Sequence, residues 1–284
     1  MDRGAFRLGS PLLPERPDFG RPARVVAVAN KKGGAGKSTT VVNLAAEMAA
    51  RGLRVLVVDL DPQGHAGLGF ARIARPGATT AHEAFRHHGL GFGIQDGVVA
   101  TDDPMIDLLP ADRDFDGDVH VSDPKRLARA LAPLVPGYDV VLIDTPPSFP
   151  RLIVAALMAA DLALAPTLLD PLSVDGVTQF LRAYHRVVVE LEAALLGALI
   201  VPTRVDLRSN MQKSMLSTLA TRHGRGALAA GVRIDVALPE AFGAQCPVRD
   251  WRPAARAVTD FAHLTDDVLS RIGVEPHVRI VAAQ

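Results

Sequence analysis

The sequence is poor in the features that would place a chain outside the cell or in a membrane. It has one cysteine, Cys246, so neither a disulfide framework nor an intrachain CxxC metal site can form, and a reducing cytoplasm is the expected location. No run of about eighteen apolar residues occurs, and the N-terminus lacks the continuous apolar segment of a signal peptide; the expectation is a chain that neither spans a membrane nor is exported. Net charge is absent as well, since 31 Lys and Arg balance 31 Asp and Glu. Any nucleic-acid contact must then come from a local patch rather than an overall basic field. What is present is 284 residues, 48% hydrophobic and 22% charged, enough to bury a large core, and a single domain over residues 24–284 is expected. Ahead of it, Pro11, Pro14, Pro17 and Pro22 interrupt residues 1–23, which read as a flexible tail without ladder donors or a continuous helix. The tail's arginines (Arg3, Arg7, Arg16, Arg21) leave two readings open, an inert leader or a contact with DNA or a partner.

Val25 to Thr40 carries the most chemistry. A short β-branched run (Val25, Val26, Val28) meets a glycine-rich turn that opens into a helix near Lys37. Gly33, Gly34 and Gly36 let backbone N–H groups curl around an anion, the helix N-terminus adds partial positive charge, and Lys37 can reach the outer phosphates. Ser38 is placed to put its hydroxyl on Mg²⁺. The usual phosphate loop, GxxxxGK[ST], has glycine where Lys31 stands here, and a second loop lysine, Lys32, follows. This order, Lys32-Gly33-Gly34-Ala35-Gly36-Lys37-Ser38, resembles the deviant Walker A motif of the ParA/MinD family of ATPases.

From Val25 onward, strand-like runs alternate with helical patterns, predicting an α/β fold with a doubly wound, mostly parallel sheet flanked by helices. Helices are expected at Lys37–Arg51, around Thr80–His87, after Ser122, at Val174–Leu196, Asn210–His223 and Pro253–Ile272. Strands are expected at Arg54–Leu60, Met105–Leu109, Leu162–Ala165, Ala198–Pro202 and Val232–Val236, and over the apolar run Val140–Ile143. That run exits into Asp144, where a carboxylate must stand to hold Mg²⁺ through water. The strand ending in Asp59-Leu60-Asp61-Pro62-Gln63-Gly64 puts two acids on the ligand edge of such a sheet. Adjacent His87 and His88 point in different directions on a helix and read as exposed bystanders.

The resemblance extends to VDLDPQG, to DTPP after Asp144, and to the segment from Leu238-Pro239-Glu240-Ala241 through Trp251, covering roughly residues 24–271 and closest to ParA-type partitioning ATPases. It implies ATP and Mg²⁺ as cofactors, a nucleotide cradle that includes Ala35 and Thr39, and an adenine contact at Arg204. It further implies that Asp61 positions the attacking water, Asp59 supports the magnesium shell, and Lys32 reaches phosphates bound by a second copy in an ATP-dependent homodimer. In such a family the dimer binds nonspecific DNA, and a ParB-like or other cargo adaptor stimulates hydrolysis, which implies a cytoplasmic, nucleoid-associated protein that segregates a plasmid or chromosome or positions a protein cargo. Between Gly176 and Arg256, eleven Lys and Arg stand against six Asp and Glu, either a solvated face or a phosphate-binding surface; Arg208, Arg233 and Arg252 are the candidate DNA contacts. Iron-cluster and arsenite-pump relatives need paired thiols that one cysteine cannot supply. A MinD-like membrane-associated ATPase is the alternative, but it ends in a basic amphipathic helix, whereas Gly273–Gln284 is interrupted by Pro276 and has one arginine. A non-hydrolysing scaffold would have lost Lys37, Asp61 or Asp144, and all three are present.

Overall fold

The computed structural model describes residues 23–73, 75, 77–86, 93–116 and 123–276. The tail, apart from Ala23, the His87-His88 pair and the last residues, 277–284, lie outside the described residues. Seven strands, β1 (Arg24–Val28), β2 (Val55–Asp59), β3 (Val99–Ala100), β4 (Ile106–Leu109), β5 (Val140–Asp144), β6 (Leu162–Leu168) and β7 (Gly197–Thr203), form one sheet in the order β3-β4-β2-β5-β1-β6-β7. All neighbours are parallel except β3 and β4. The helices are α1 (Lys37–Ala50), α2 (His65–Leu68), α3 (Glu83–Arg86), α4 (Arg126–Leu131), α5 (Pro150–Ala159), α6 (Pro171–Glu190), α7 (Asn210–His223), α8 (Ala237–Gly243), α9 (Val248–Trp251) and α10 (Arg256–Ile272).

The near-continuous apolar strands are buried because helices cover both faces, and the alternation of side chains decides which residue meets which layer. Val26, Val28, Val55, Val57, Val140 and Leu142 pack with Leu44 and Met48 of α1 and Phe261 and Leu264 of α10. Val25, Ala27, Leu56, Val58, Val141 and Ile143 pack with Leu127 of α4, Leu152 of α5 and Phe180 of α6. In register, Asp144 stands level with both Val28 and Asp59. Three central strands therefore end together, at the edge where parallel sheets bind ligands.

Several expected boundaries move. The segment after Asp144 contains an unforeseen helix, α5, with Pro150 in its first turn. Helix α6 starts at Pro171, three residues before the expected Val174, because Asp170 caps it, and stops at Glu190 rather than Leu196. There Glu192 turns to φ +54°, and the Leu196 N–H is taken by the Asp161 carbonyl at 2.6 Å. Val232–Val236 is not a strand: only Arg233 bridges Val205. The Arg233 N–H donates to the Asp260 carboxylate at 2.9 Å, and the Asp235 carboxylate accepts from Ala237 and Ala257, each at 3.0 Å. The Val232 and Ile234 N–H groups do donate to the Pro202 and Val205 carbonyls, at 2.8 and 3.1 Å, but the pairing stops there, where the Asp235 side chain takes the Ala237 N–H at the start of α8. Helix α10 begins at Arg256, not Pro253. Among the described residues no helix is long and apolar enough to cross a membrane.

His82 ties the second strand's exit to its surroundings. Its buried ring places Nε2 3.2 Å from the Leu60 carbonyl and Nδ1 2.9 Å from the Asp112 N–H, and stacks on Phe115 at 4.0 Å. A carbonyl can only accept and an amide N–H can only donate, so the neutral tautomer with the proton on Nε2 is assigned. Burial pulls the imidazole down to about 4. Because this folded value lies below the unfolded one, stability is present above pH ~6.5 and is lost as pH falls toward 4, by about 2 kcal/mol between pH 7 and 5. Urea unfolding of the wild type and His82→Gln at both pH values checks this: the gap between them should shrink by that amount at pH 5, and a constant gap contradicts the assignment.

Candidate nucleotide and magnesium site

The loop leaving β1 is held before it turns. Asn30 donates to the Pro166 carbonyl at 2.6 Å and accepts from the Lys32 N–H at 3.1 Å. Gly34 and Gly36 adopt φ +72° and +92°, conformations costly for a side-chain-bearing residue, so the curl of the loop depends on glycine there. From the last residue of β7, the Thr203 hydroxyl lies 3.0 Å from the Ala35 carbonyl and 3.1 Å from that of Thr167, donating to one at a time. The Thr145 hydroxyl, just past β5, donates to the Val28 carbonyl at 2.9 Å. Asn30, Thr145 and Thr203 thus clamp the loop to the sheet; Thr145 belongs to the DTPP segment, whereas no motif marked Asn30 or Thr203. Ser38 and Thr39 follow Lys37 in the first turn of α1.

Charge is concentrated beneath this loop. Lys37 is buried, with Nζ 3.4 Å from the Lys32 carbonyl. Burial lowers its pKa, while the Asp144 and Asp61 carboxylates oppose that shift. Asp144 is fully buried, and neither carboxylate oxygen has a hydrogen-bond partner of ordinary geometry. Burial and then the neighbouring Asp59 push its carboxyl well above the usual range, against the nearby Ser38 hydroxyl and Lys37. Asp59 is equally buried, but its oxygens accept the Asp61 and Gly67 N–H groups, each at 3.0 Å. Burial still pushes its carboxyl up to about 7. Asp61 accepts the Gln63 N–H at 3.1 Å.

A magnesium ion fits this chemistry. Two orphaned, buried carboxylate oxygens beside a serine hydroxyl call for a cation. Mg²⁺ binds through one or two protein oxygens together with phosphates and water, and Asp144 with the Ser38 hydroxyl beside it is a donor set of that size. Asp59 spends both oxygens on backbone, and so shapes the turn that carries Asp61.

The second loop lysine lies elsewhere. The Lys32 ammonium sits at the first turn of α6, 2.5 Å from the Ser173 hydroxyl and 3.3 Å from an Asp170 oxygen. Arg204, next to Thr203, is exposed with φ +51°. The three arginines considered for DNA are each paired: Arg208 with Asp206 at 2.9 Å, Arg233 with Asp260 at 2.5 Å, and Arg252 with Glu240 at 2.9 Å. The basic excess of this region is therefore partly neutralised in place.

A glycine loop between a central parallel strand and a helix, with a buried lysine above a strand-end carboxylate, defines a P-loop nucleotide-binding protein. Residues 23–196 match the family described as AAA domain. The chain is 33% identical over 265 residues to the chromosome partitioning protein ParA of Caulobacter vibrioides, covering 88% of this chain and 95% of that one. It is also 33% identical over 251 residues to the chromosome-partitioning ATPase Soj of Thermus thermophilus, covering 88% and 96%. A solved structure described as cobyrinic acid a,c-diamide synthase from Mycobacterium smegmatis, with bound ADP and magnesium, superposes with a TM-score of 0.68 at 31% identity, covering 87% and 94%. The chain belongs to the ParA/MinD family of P-loop ATPases. It is an ATPase that uses ATP and Mg²⁺.

Proposed function

We propose that residues 24–284 act as one ATPase unit that dimerises with ATP, binds DNA without sequence preference, and hydrolyses ATP when an adaptor on its cargo stimulates it, so segregating or positioning that cargo. The observation carrying this reading is the buried, unpartnered Asp144 carboxylate beside Lys37 and Ser38, in a chain 33% identical to partitioning proteins over nearly their whole length. Lys37 neutralises phosphate charge, and the curled N–H groups of Gly33 to Thr39 orient the phosphates. Ser38 and Asp144 would hold Mg²⁺, which supplies charge neutralisation between the outer phosphates. Asp61 orients the attacking water, Asp59 fixes the turn beneath it, and Arg204 borders the base. Lys32 serves the second copy's phosphates, making dimerisation and a complete site one event.

DNA binding is assigned to the arginines around Arg208. Arg208 is 91% exposed, and phosphates compete with Asp206 for its guanidinium. ATP-dependent binding to unrelated duplexes, read by fluorescence anisotropy, should fall steeply between about 50 and 200 mM salt, and Arg208→Glu should weaken it alike for every sequence. Equal binding with ADP, or binding indifferent to salt, would contradict the assignment.

A further inference from the structure

A cavity of about 910 Å³ lies beyond β7, the outer strand of the sheet, and none of its lining residues belongs to the phosphate loop or to the acids beneath it. Its inner wall is residues 228–234, which run beside β7 without becoming a strand: the Ala229 and Val232 N–H groups donate to the Ile200 and Pro202 carbonyls at 2.9 and 2.8 Å. Gly231 comes so close that a Cβ there would stand 3.2 Å from the Val205 side chain and 3.3 Å from Pro202 Cβ. The outer wall is α7, a helix of 14 residues in which only Leu219 is buried. A helix owes most of its stability to the face it packs, and here part of that face meets the cavity: Leu216 and Ala220 line it from α7, with Val205, Leu228 and Ala229 opposite. The polar lining is one-sided in charge. Lys213, Ser217 and Thr221 follow one another at four-residue steps and so form one stripe of α7 inside the cavity, where Arg225 and His263 join them. The Thr218 hydroxyl, on the next row, is spent on the Ser214 carbonyl at 2.9 Å, but those of Ser217 and Thr221 have no protein partner among the described residues. The acid in the lining, Asp260, is taken by the Arg233 N–H and guanidinium, and Asp267 on α10 by the Ala230 N–H at 2.6 Å. Lys213 and Arg225 are exposed and form no ion pair among the described residues.

We propose that this cavity is a binding site for a small amphipathic anion, with a carboxylate or phosphate head against Lys213, Arg225 and the α7 hydroxyls and an apolar body against Val205, Leu216 and Leu228. Its volume falls within the range of about 300–1,000 Å³ in which small-molecule sites lie, and an apolar floor with a few convergent polar groups is their usual lining. Cationic groups beside free hydroxyl donors suit an anionic head. Duplex DNA offers phosphates but no apolar body, and would leave the floor unfilled. The ligand would supply the packing that α7 lacks, so its binding should stabilise the fold. The site stands apart from the nucleotide machinery and does not rest on the function proposed above.

Two fluorescent probes separate head from body: anilinonaphthalene sulfonate, and phenylnaphthylamine, the same ring system without the sulfonate. With ADP and Mg²⁺ present to fill the nucleotide site, the sulfonate probe should bind the full chain saturably and raise its melting temperature. Lys213→Gln combined with Arg225→Gln should weaken that binding about five- to tenfold, the weight of two partly exposed charge contacts, and change the uncharged probe by less than about twofold. Ser217→Trp, which sets an indole into the cavity from an exposed position, should remove both probes. Decanoate and naphthyl phosphate should each displace the sulfonate probe, and the stronger competitor identifies the head. Both variants change exposed residues, so their melting temperatures without probe should stay within about 2 °C of the wild type; if Ser217→Trp unfolds, the double variant decides alone. Absence of saturable binding overturns the proposal, and so does sulfonate binding equal in the wild type and the double variant. Displacement by duplex DNA, with neither small anion competing, also overturns it and assigns the two cations to DNA.

Discussion

Asp61→Ala should bind ATP as the wild type does and hydrolyse it at least about 100-fold more slowly, whereas Lys37→Ala should lose ATP binding. The two residues lie beneath one loop but do different work. Lys37 is buried against the Asp144 and Asp61 carboxylates, so its charge faces the place where phosphates arrive, in ground state and transition state alike. Removing it leaves the phosphate oxygens above two unbalanced acids, and binding fails before chemistry starts. Asp61 sits on the turn after β2, with Oδ1 engaged by the Gln63 N–H, and in the proposed function it touches the reaction only through the water it would orient. Its loss therefore falls on turnover and not on affinity. Equilibrium binding of a fluorescent ATP analogue together with single-turnover phosphate release separates the two cases. Wild-type turnover in Asp61→Ala, or retained affinity in Lys37→Ala, would exchange or remove the assigned roles.

What was legible in the sequence is what local chemistry dictates. The loop could be read because Gly34 and Gly36 mark positive-φ positions and the strand, lysine, serine and helix follow in one short stretch. Asp144 could be read because a strand buried on both faces ends in an acid, which is costly unless the acid has a task. The contacts that hold the loop join residues far apart in the chain: Asn30 with Pro166, Ala35 with Thr203, Lys32 with Ser173. Periodicity reports which face a residue occupies, not which distant strand end it meets, so Asn30, Thr203, Asp170 and Ser173 were invisible as a set. The same limit explains the arginines. Arg233 reads as a free cation in a basic stretch, but folding brings it to Asp260 on α10, and the same carboxylate accepts its backbone N–H.

Asp144→Asn should act in opposite directions on the nucleotide-free and the loaded protein. Asp144 is fully buried, and burial together with Asp59 disfavours its charged form against the nearby Ser38 hydroxyl and Lys37. A folded-state carboxyl pKa above the unfolded value means that folding stability falls as pH rises through that window. The neutral amide escapes this cost, so the variant should melt about 2 °C or more above the wild type at neutral pH, by an amount that grows from pH 5 to pH 8. Asp59, with its carboxyl pushed up to about 7, loses the neighbouring charge in the variant as well, which adds to the stabilisation in the same direction. With Mg²⁺ and ADP the order should reverse. A carboxylate held ready for a cation gains its counter-charge only then, and a ligand present at 100 times its dissociation constant stabilises the wild type by about 2.7 kcal/mol. The amide offers one weaker oxygen and no charge, so the magnesium-dependent part of that gain should vanish, while whatever ADP contributes in EDTA remains. Thermal melts of both proteins in EDTA, with ADP in EDTA, and with ADP and Mg²⁺ give the comparison directly. A variant that is destabilised when empty, or that gains as much from magnesium as the wild type, would show that Asp144 is a structural acid and not the magnesium residue.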